Sequence, residues 1–413
     1  MLLEFTVENF KSFRDRTTFS MEATADKKHT DNVIEVKDKK LRLLRTSMIY
    51  GANASGKTNL IEAMHLFRTF VALSQTHVSG AKLTHTPFIF EESCSKKPTA
   101  MELKFLKNDV VYEYAFSYDP DRIISESLVY YPNGRKAVVF ERTGQTFTFT
   151  KNKRRQGQDA ERVNEAALYL SVSAAFNYEI SRTVVEWMTK KLMVFAGADP
   201  LWSINILLKT INEDVLFKKR VLNAFRIADL GITGIKDRNA KNTNKDAKYM
   251  LSVPTVQSLL PDIWVRHSFK DTFGRKTEKE LRLNQESSGT VQFISIIGPI
   301  ISTLTEGGTI VVDEMDVNFH PELCKWIVNL FHDPSENPKG AQLIFNTHDL
   351  ELQDQDLVRR DQIWFVEKDW ETRISSLFSL TEFKERNDRD IRKAYISGRY
   401  GAKPFISPDA LIE

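Results

Sequence analysis

The reading turns on Leu41–Leu73, LRLLRTSMIYGANASGKTNLIEAMHLFRTFVAL. At its centre Gly51–Thr58, GANASGKT, fills every position of the pattern G-x-x-x-x-G-K-[ST]. An apolar strand pattern leads into it and an apolar helical pattern leads out, the context in which such a loop works. Glycines let backbone N–H groups turn toward phosphate oxygens, and the following helix N-terminus adds partial positive charge. The expected phosphate contacts are Asn53, Ala54, Ser55, Gly56, Lys57, Thr58 and Asn59. Lys57 is placed to reach the β- and γ-phosphates, and Thr58 to set its hydroxyl on Mg²⁺. The implied ligand is a nucleoside triphosphate; nothing in the loop reads the base.

A second apolar strand, TIVVDE (309–314), ends in two carboxylates. Beside a phosphate loop, Asp313 is the expected Mg²⁺ holder and Glu314 the general base for the attacking water. The next apolar strand, AQLIFNT, ends at His348. A lone histidine is usually structural, but this one follows the acidic strand, where an imidazole would sense the γ-phosphate. Glu286–Thr290, ESSGT, stands directly before the helical pattern VQFISIIGPI. Small hydroxyl residues and a glycine there suit an anion-binding nest, or simply an N-cap.

Together these segments resemble the ABC-type ATPase head, in the branch shared by SMC, RecF and OLD-like proteins. The resemblance implies an α/β fold: an ABC-type P-loop ATPase head with a β-rich N-terminal lobe, an α/β RecA-like lobe and a mainly helical insertion. It further implies heads paired face to face around ATP and Mg²⁺, at least as a homodimer. Ser287, Ser288 and Gly289 then stand as a divergent signature, His348 as the switch histidine, and Met315–Asn318 as the segment crossing to the other subunit. In ENFKSFRD, Lys11 and Arg14 stand where basic residues approach the nucleotide.

A closer resemblance, to bacterial AAA-family OLD-like or abortive-infection proteins, rests on ESSGT, DEMDVNFHP, QLIFNTHD, RRDQIWFVEKD, SGRYGAKPF and the meander ISESLVYY…VFER. It implies an ATPase sensor or switch of an anti-phage system, paired with a separately encoded effector such as a nuclease. Two features depart from the pattern. No glutamine stands near Pro87–Phe90, where a loop contacting Mg²⁺ is expected. The stretch after His348 is too short for the Toprim nuclease that OLD enzymes carry, so nuclease chemistry is expected from another polypeptide. The alternative is a RecF- or SMC-like ATPase that clamps DNA for repair or maintenance. The run Lys151–Arg155 and the tail residues Arg389, Arg392, Lys393 and Arg399 permit phosphate contacts of that kind. A membrane-transporter subunit fits the β-rich opening poorly. A ring-forming AAA+ motor would not need Ser-Ser-Gly before its acidic strand.

The rest of the chain bounds these readings. Its 413 residues suit two or three domains, taken as 1–150, 151–280 and 281–413. The first holds strands over 1–24, a polar loop DKKHTDNVIEVKDKK, the phosphate loop and a β-meander over 101–149. The second is helical to about 230, with a polar loop or hairpin tip at 236–248 and strands IWVRHSFK and LRLNQ. The third alternates helix and strand and ends in a basic, aromatic tail. Fifty-eight Lys+Arg against fifty-five Asp+Glu, net +3, exclude a strongly polyanion-coating protein. Cys94 and Cys324 lack disulfide-framework or zinc spacing. His267 and His320 are expected to pack or solvate, not to bind metal. Glu4, Glu8 and Lys11 interrupt the apolar N-terminus, which is therefore not expected to be a signal peptide. No run approaching ~18 apolar residues is evident. A cytoplasmic protein without membrane contact is expected.

Overall fold

Alternating apolar residues make Leu2–Glu8 the first strand, β1, and Thr17–Ser20 returns beside it as β2. The computed structural model describes residues 1–36, 40–197, 200–238, 262–384 and 389–404. Next come β3 (Val33–Val36), β4 (Leu41–Leu44), β5 (Thr46–Tyr50), α1 (Lys57–Leu73) and the short α2 (Glu92–Ser95). The expected meander follows as β6 (Thr99–Lys107), β7 (Val110–Tyr118), β8 (Ile123–Tyr131), β9 (Ala137–Thr143) and β10 (Thr146–Phe149). These join β1 and β2 in an antiparallel sheet of order β10-β9-β8-β7-β6-β1-β2. Its tight turn at Asn108–Asp109 has both residues at positive φ, 49° and 58°, the conformation that asparagine and aspartate tolerate best.

Two expectations need correction here. The loop DKKHTDNVIEVKDKK contains β3, which pairs antiparallel with β4. The run LRLLRTSMIY is two strands in different sheets, β4 and β5, separated at Arg45. Neither segment alternates cleanly, so periodicity carries no mark of the break; it follows from the different strands that β4 and β5 pair with.

Helices α3 (Lys153–Ala160), α4 (Tyr169–Ala175) and α5 (Glu179–Lys190) lead to β11 (Leu192–Phe195), a strand within the stretch expected to be helical. A buried carboxylate fixes α4. Glu126 on β8 accepts the Leu170 and Tyr169 backbone N–H groups at 2.8 and 2.7 Å, and the Tyr114 hydroxyl at 2.9 Å. Arg142 on β9, equally buried, donates to it at 3.3 Å. Burial pushes the Glu126 carboxyl up, and Arg142 with the two backbone donors opposes that shift. The meander thereby caps a helix distant in sequence.

Contacts divide the chain into two units, 1–196 with 306–316 and 324–413, and 197–305 with 317–323. This division cuts across the expected 151–280 insertion, since α3–α5 pack in the first unit. The second unit contains α6 (Pro200–Glu213), α7 (Val215–Ile227), β12 (Ile232–Asp237), β13 (Ile263–Lys270), β14 (Lys276–Arg282) and α8 (Ser288–Glu306). Its strands form an antiparallel sheet, β12-β13-β14. The strand expected at LRLNQ lies earlier, at KTEKELR, and Leu283–Gln285 is a 3-10 turn in which Gln285 bonds the Arg282 N–H. The expected polar loop falls, from residue 239, outside the described residues. Against expectation, α8 is long and apolar enough to cross a membrane. Phe293, Ile294, Ile297, Ile300 and Leu304 are nonetheless buried along it, as in a core helix.

The first unit closes with β15 (Thr309–Val312), α9 (Pro321–His332), β16 (Gln342–Asn346), β17 (Ile363–Lys368), β18 (Ser375–Ser379) and α10 (Ile391–Ile396). Its second sheet has the order β11-β15-β16-β5-β17-β18, parallel except at β18. Every residue of β5, β15 and β16 is buried, as suits parallel strands covered on both faces. The α/β class is therefore as expected, with a β-rich sheet and a largely parallel one in the same unit. The aromatic tail docks on this unit: Tyr395 and Tyr400 stack on Phe365 at 5.3 and 5.6 Å.

His332 is enclosed behind β5. Its Nε2 accepts from the Gln362 amide at 3.0 Å and lies 2.7 Å from the Thr46 hydroxyl. Burial holds its pKa at about 3, well below the ordinary 6.5. The unfolded chain therefore takes up a proton that the folded chain refuses. This contribution to stability is complete above pH 6.5 and falls away toward pH 3, by roughly 1 kcal/mol per pH unit. Denaturant unfolding of His332→Gln should lose that much less per unit than the wild type between pH 6 and 4; parallel losses would contradict the assignment.

Candidate nucleotide site

In open α/β sheets, ligands gather at the carboxyl ends of the strands, and there β5 hands the chain to the loop 51–58. A Cβ on Gly51 would lie 2.3 Å from the Val366 carbonyl oxygen, so only glycine fits. Gly56 has φ +117°, and a Cβ there would meet the Ser375 and Ser12 hydroxyls at 2.6 and 2.8 Å. These two hydroxyls floor the loop. They lie 2.8 Å apart, Ser375 donates to the Ser55 carbonyl at 2.5 Å, and Asn59 donates to Ser12 at 2.7 Å.

Lys57 donates to the Gly51 and Ala52 carbonyls at 2.7 and 3.0 Å. Burial lowers its pKa, while Glu314, Asp313 and Asp316 pull the other way. Asp313 accepts from the Thr58 hydroxyl at 3.1 Å, so the two expected metal ligands meet. Its carboxyl is pushed up by burial, against the bonds from Asn346 and Thr58. A hydroxyl and a carboxylate are hard-oxygen donors of the kind Mg²⁺ takes alongside phosphate oxygens and water, so these residues fit the ion.

Asn346, at the end of β16, is the residue that sequence reading missed. Its amide nitrogen donates to Asp313 at 2.5 Å, and its side-chain oxygen accepts the Glu314 N–H. Glu314 sits at φ 52°, a left-handed conformation that costs a non-glycine residue about 1 kcal/mol or more. Asn346 thus fixes both carboxylate-bearing residues, one by its side chain and the other by its backbone. The available signal was a polar amide closing an apolar strand, which the structure buries fully. Asp316, within the segment expected to cross to the other subunit, accepts the His348 N–H at 3.0 Å. The His348 pKa is lowered, chiefly by burial and next by Lys57, with Asp316 and Glu314 opposing.

Lys11 and Arg14 both have carboxylate partners. Lys11 pairs with Glu62 of α1, and Arg14 with Asp15 at 3.0 Å and Glu91 at 3.3 Å. Their turn is anchored beneath the loop through Ser12. Ser287, Ser288 and Gly289 belong to the second unit. Ser287 accepts the Thr290 N–H at 3.1 Å, which realises the N-cap, and a Cβ on Gly289 would lie 2.6 Å from the Asn318 carbonyl oxygen.

Replacing Asn346 by alanine should free Glu314 from its strained position and misplace it by a fraction of an ångström or more. Turnover of ATP is expected to fall about 10²-fold with nucleotide affinity nearly unchanged. A steady-state assay beside equilibrium binding checks this; an equal loss of affinity would assign Asn346 to binding instead.

No curated protein matches the chain by sequence. Among solved structures, the chain is similar to an Smc head bound to the C-winged helix domain of ScpA, at 12% identity and TM-score 0.43, over 92% of this chain and 97% of that one. It is similar to the SMC head domain from Thermotoga maritima at 15% identity and TM-score 0.37, over 92% and 98%. An Smc head with an extended coiled coil, bound to the C-terminal domain of ScpA and derived from Pyrococcus furiosus, matches at 11% identity and TM-score 0.37, over 92% and 96%. A family described as "AAA domain, putative AbiEii toxin, Type IV TA system" matches residues 47–354, which hold the loop, Asp313, Glu314, Asn346 and His348. The chain belongs to this AAA domain family.

Proposed function

We propose that this chain is a Mg²⁺-dependent ATPase acting as sensor and switch of an anti-phage system, and that ATP-driven pairing of two heads controls a separately encoded effector such as a nuclease. The observation that carries the enzymatic part is the Asn346 bridge, which orders the metal-binding and water-activating residues beside Lys57 and Thr58. The defence part is supported by the family description and by the OLD-like sequence segments.

Bound Mg²⁺ would draw charge from the β- and γ-phosphates. Lys57 would exchange its two carbonyl partners for phosphate oxygens. Glu314 would accept a proton from the attacking water, with Asp313 and Thr58 holding the ion. His348, its backbone N–H held by Asp316, would donate to the γ-phosphate. Ser287, Ser288 and Gly289 of a second copy would supply further donors at a helix start, so the site closes only in the pair. Closure excludes water and links chemistry to shape, which is what a switch requires. A cytoplasmic location accords with this role.

Glu314→Gln should keep ATP·Mg²⁺ binding and lower hydrolysis about 10²- to 10⁴-fold. Purified from its native cells, this variant is expected to retain a stoichiometric effector protein. Recovery of nuclease-sensitive DNA without a protein partner would instead favour a DNA clamp.

A further inference from the structure

The hairpin between β17 and β18 flanks the phosphate loop along both legs. On the outgoing leg β17 runs parallel to β5 with Phe365 opposite Tyr50, and the Val366 carbonyl closes against Gly51. Lys368 pairs with Ser375, so the tip Asp369–Ile374 lies beyond the end of β5, at the edge where the loop begins. On the return leg Ser375 touches Ser55 and Gly56 from below.

This tip is rigid. The Asp369 carboxylate accepts the Glu371 and Thr372 N–H groups at 3.1 and 2.7 Å and the Thr372 hydroxyl at 2.7 Å. Backbone bonds from Asp369 to Ile374 and from Arg373 to Asp369, each 2.9 Å, close it. On this mount stands Trp370, 73% exposed. A lone exposed hydrophobe needs no function. What distinguishes this one is a hydrogen-bonded support anchored to the floor of a phosphate site. The loop's other flank, the turn Asn9–Arg14, has its aromatic residues Phe10 and Phe13 buried and offers no such face.

We propose that Trp370 is the platform on which the purine base of the bound nucleotide stacks. The proposal rests on the nucleotide site of the preceding reading and adds a specificity element that the phosphate loop lacks. Phosphates seated on Gly51–Thr58 leave the base to find a surface within roughly 10 Å, and an indole presents a large, flat one with little entropy to lose.

The test compares Mg²⁺·ATP with Mg²⁺·tripolyphosphate, which offers the same phosphates without a base. Trp370→Ala should weaken ATP binding about tenfold and leave tripolyphosphate binding unchanged. Trp370→Phe should restore most of the ATP affinity. Phe90→Ala is the control: Phe90 is also exposed, but its segment bonds the Asn9–Arg14 turn through Thr86 and Phe88. Unchanged ATP affinity in Trp370→Ala, equal loss for both ligands, or the selective loss appearing in Phe90→Ala instead would each overturn the platform. A wild-type protein that binds neither ligand would overturn the nucleotide site itself.

Discussion

The two carboxylates of the candidate site depend on one buried amide. Asn346 reaches from the end of β16 to the turn after β15, and through it two neighbouring strands of a parallel sheet share one arrangement of Asp313 and Glu314. Burying an amide without partners would cost several kcal/mol, so its two bonds are in effect compulsory. They in turn hold Glu314 in a backbone conformation that it would not adopt alone. Strain of this kind persists only where the surroundings over-determine it. Here they do, since the Met315 N–H also bonds the Asn346 carbonyl.

A similar economy appears beneath the phosphate loop. Ser12 follows the first strand, Asn59 opens the first long helix, and Ser375 begins the last strand of the sheet, yet the three meet under Ser55 and Gly56. The loop's glycines are needed for two reasons. One is the familiar exposure of N–H groups to phosphate. The other is that the floor rises so close that a Cβ at Gly56 has no room. N-terminal turn, loop and C-terminal hairpin are thereby one mechanical unit.

The parts of the fold that sequence made legible are those where a local rule and a long-range one agree. Gly51–Thr58 between strand and helix is one; the meander with Asn108–Asp109 at its turn is another. Asp313 and Glu314 were legible because a carboxylate pair closed an apolar strand. The break between β4 and β5, the strand β11 and the strand β18 were not. Strand β11 lies where apolar residues run together, while the break at Arg45 and the short β18 take their form from the strands they pair with. Asn346, Ser12 and Ser375 were also hidden, for a different reason. Their roles consist of bonds between residues up to 363 positions apart, which no local pattern records. Lys11 and Arg14 were expected from their position to approach the nucleotide; the structure adds their carboxylate partners.

In the proposed function the loop, Asp313 and Glu314 form one hydrolytic site with Lys57 at its phosphate end. Phosphate release from Mg²⁺·ATP by the wild type and by Lys57→Ala tests it most directly. Measurable turnover is expected in the wild type and, in the variant, loss of ATP binding with turnover at least about 10²-fold lower. Equal phosphate release by both proteins would place hydrolysis elsewhere and contradict it.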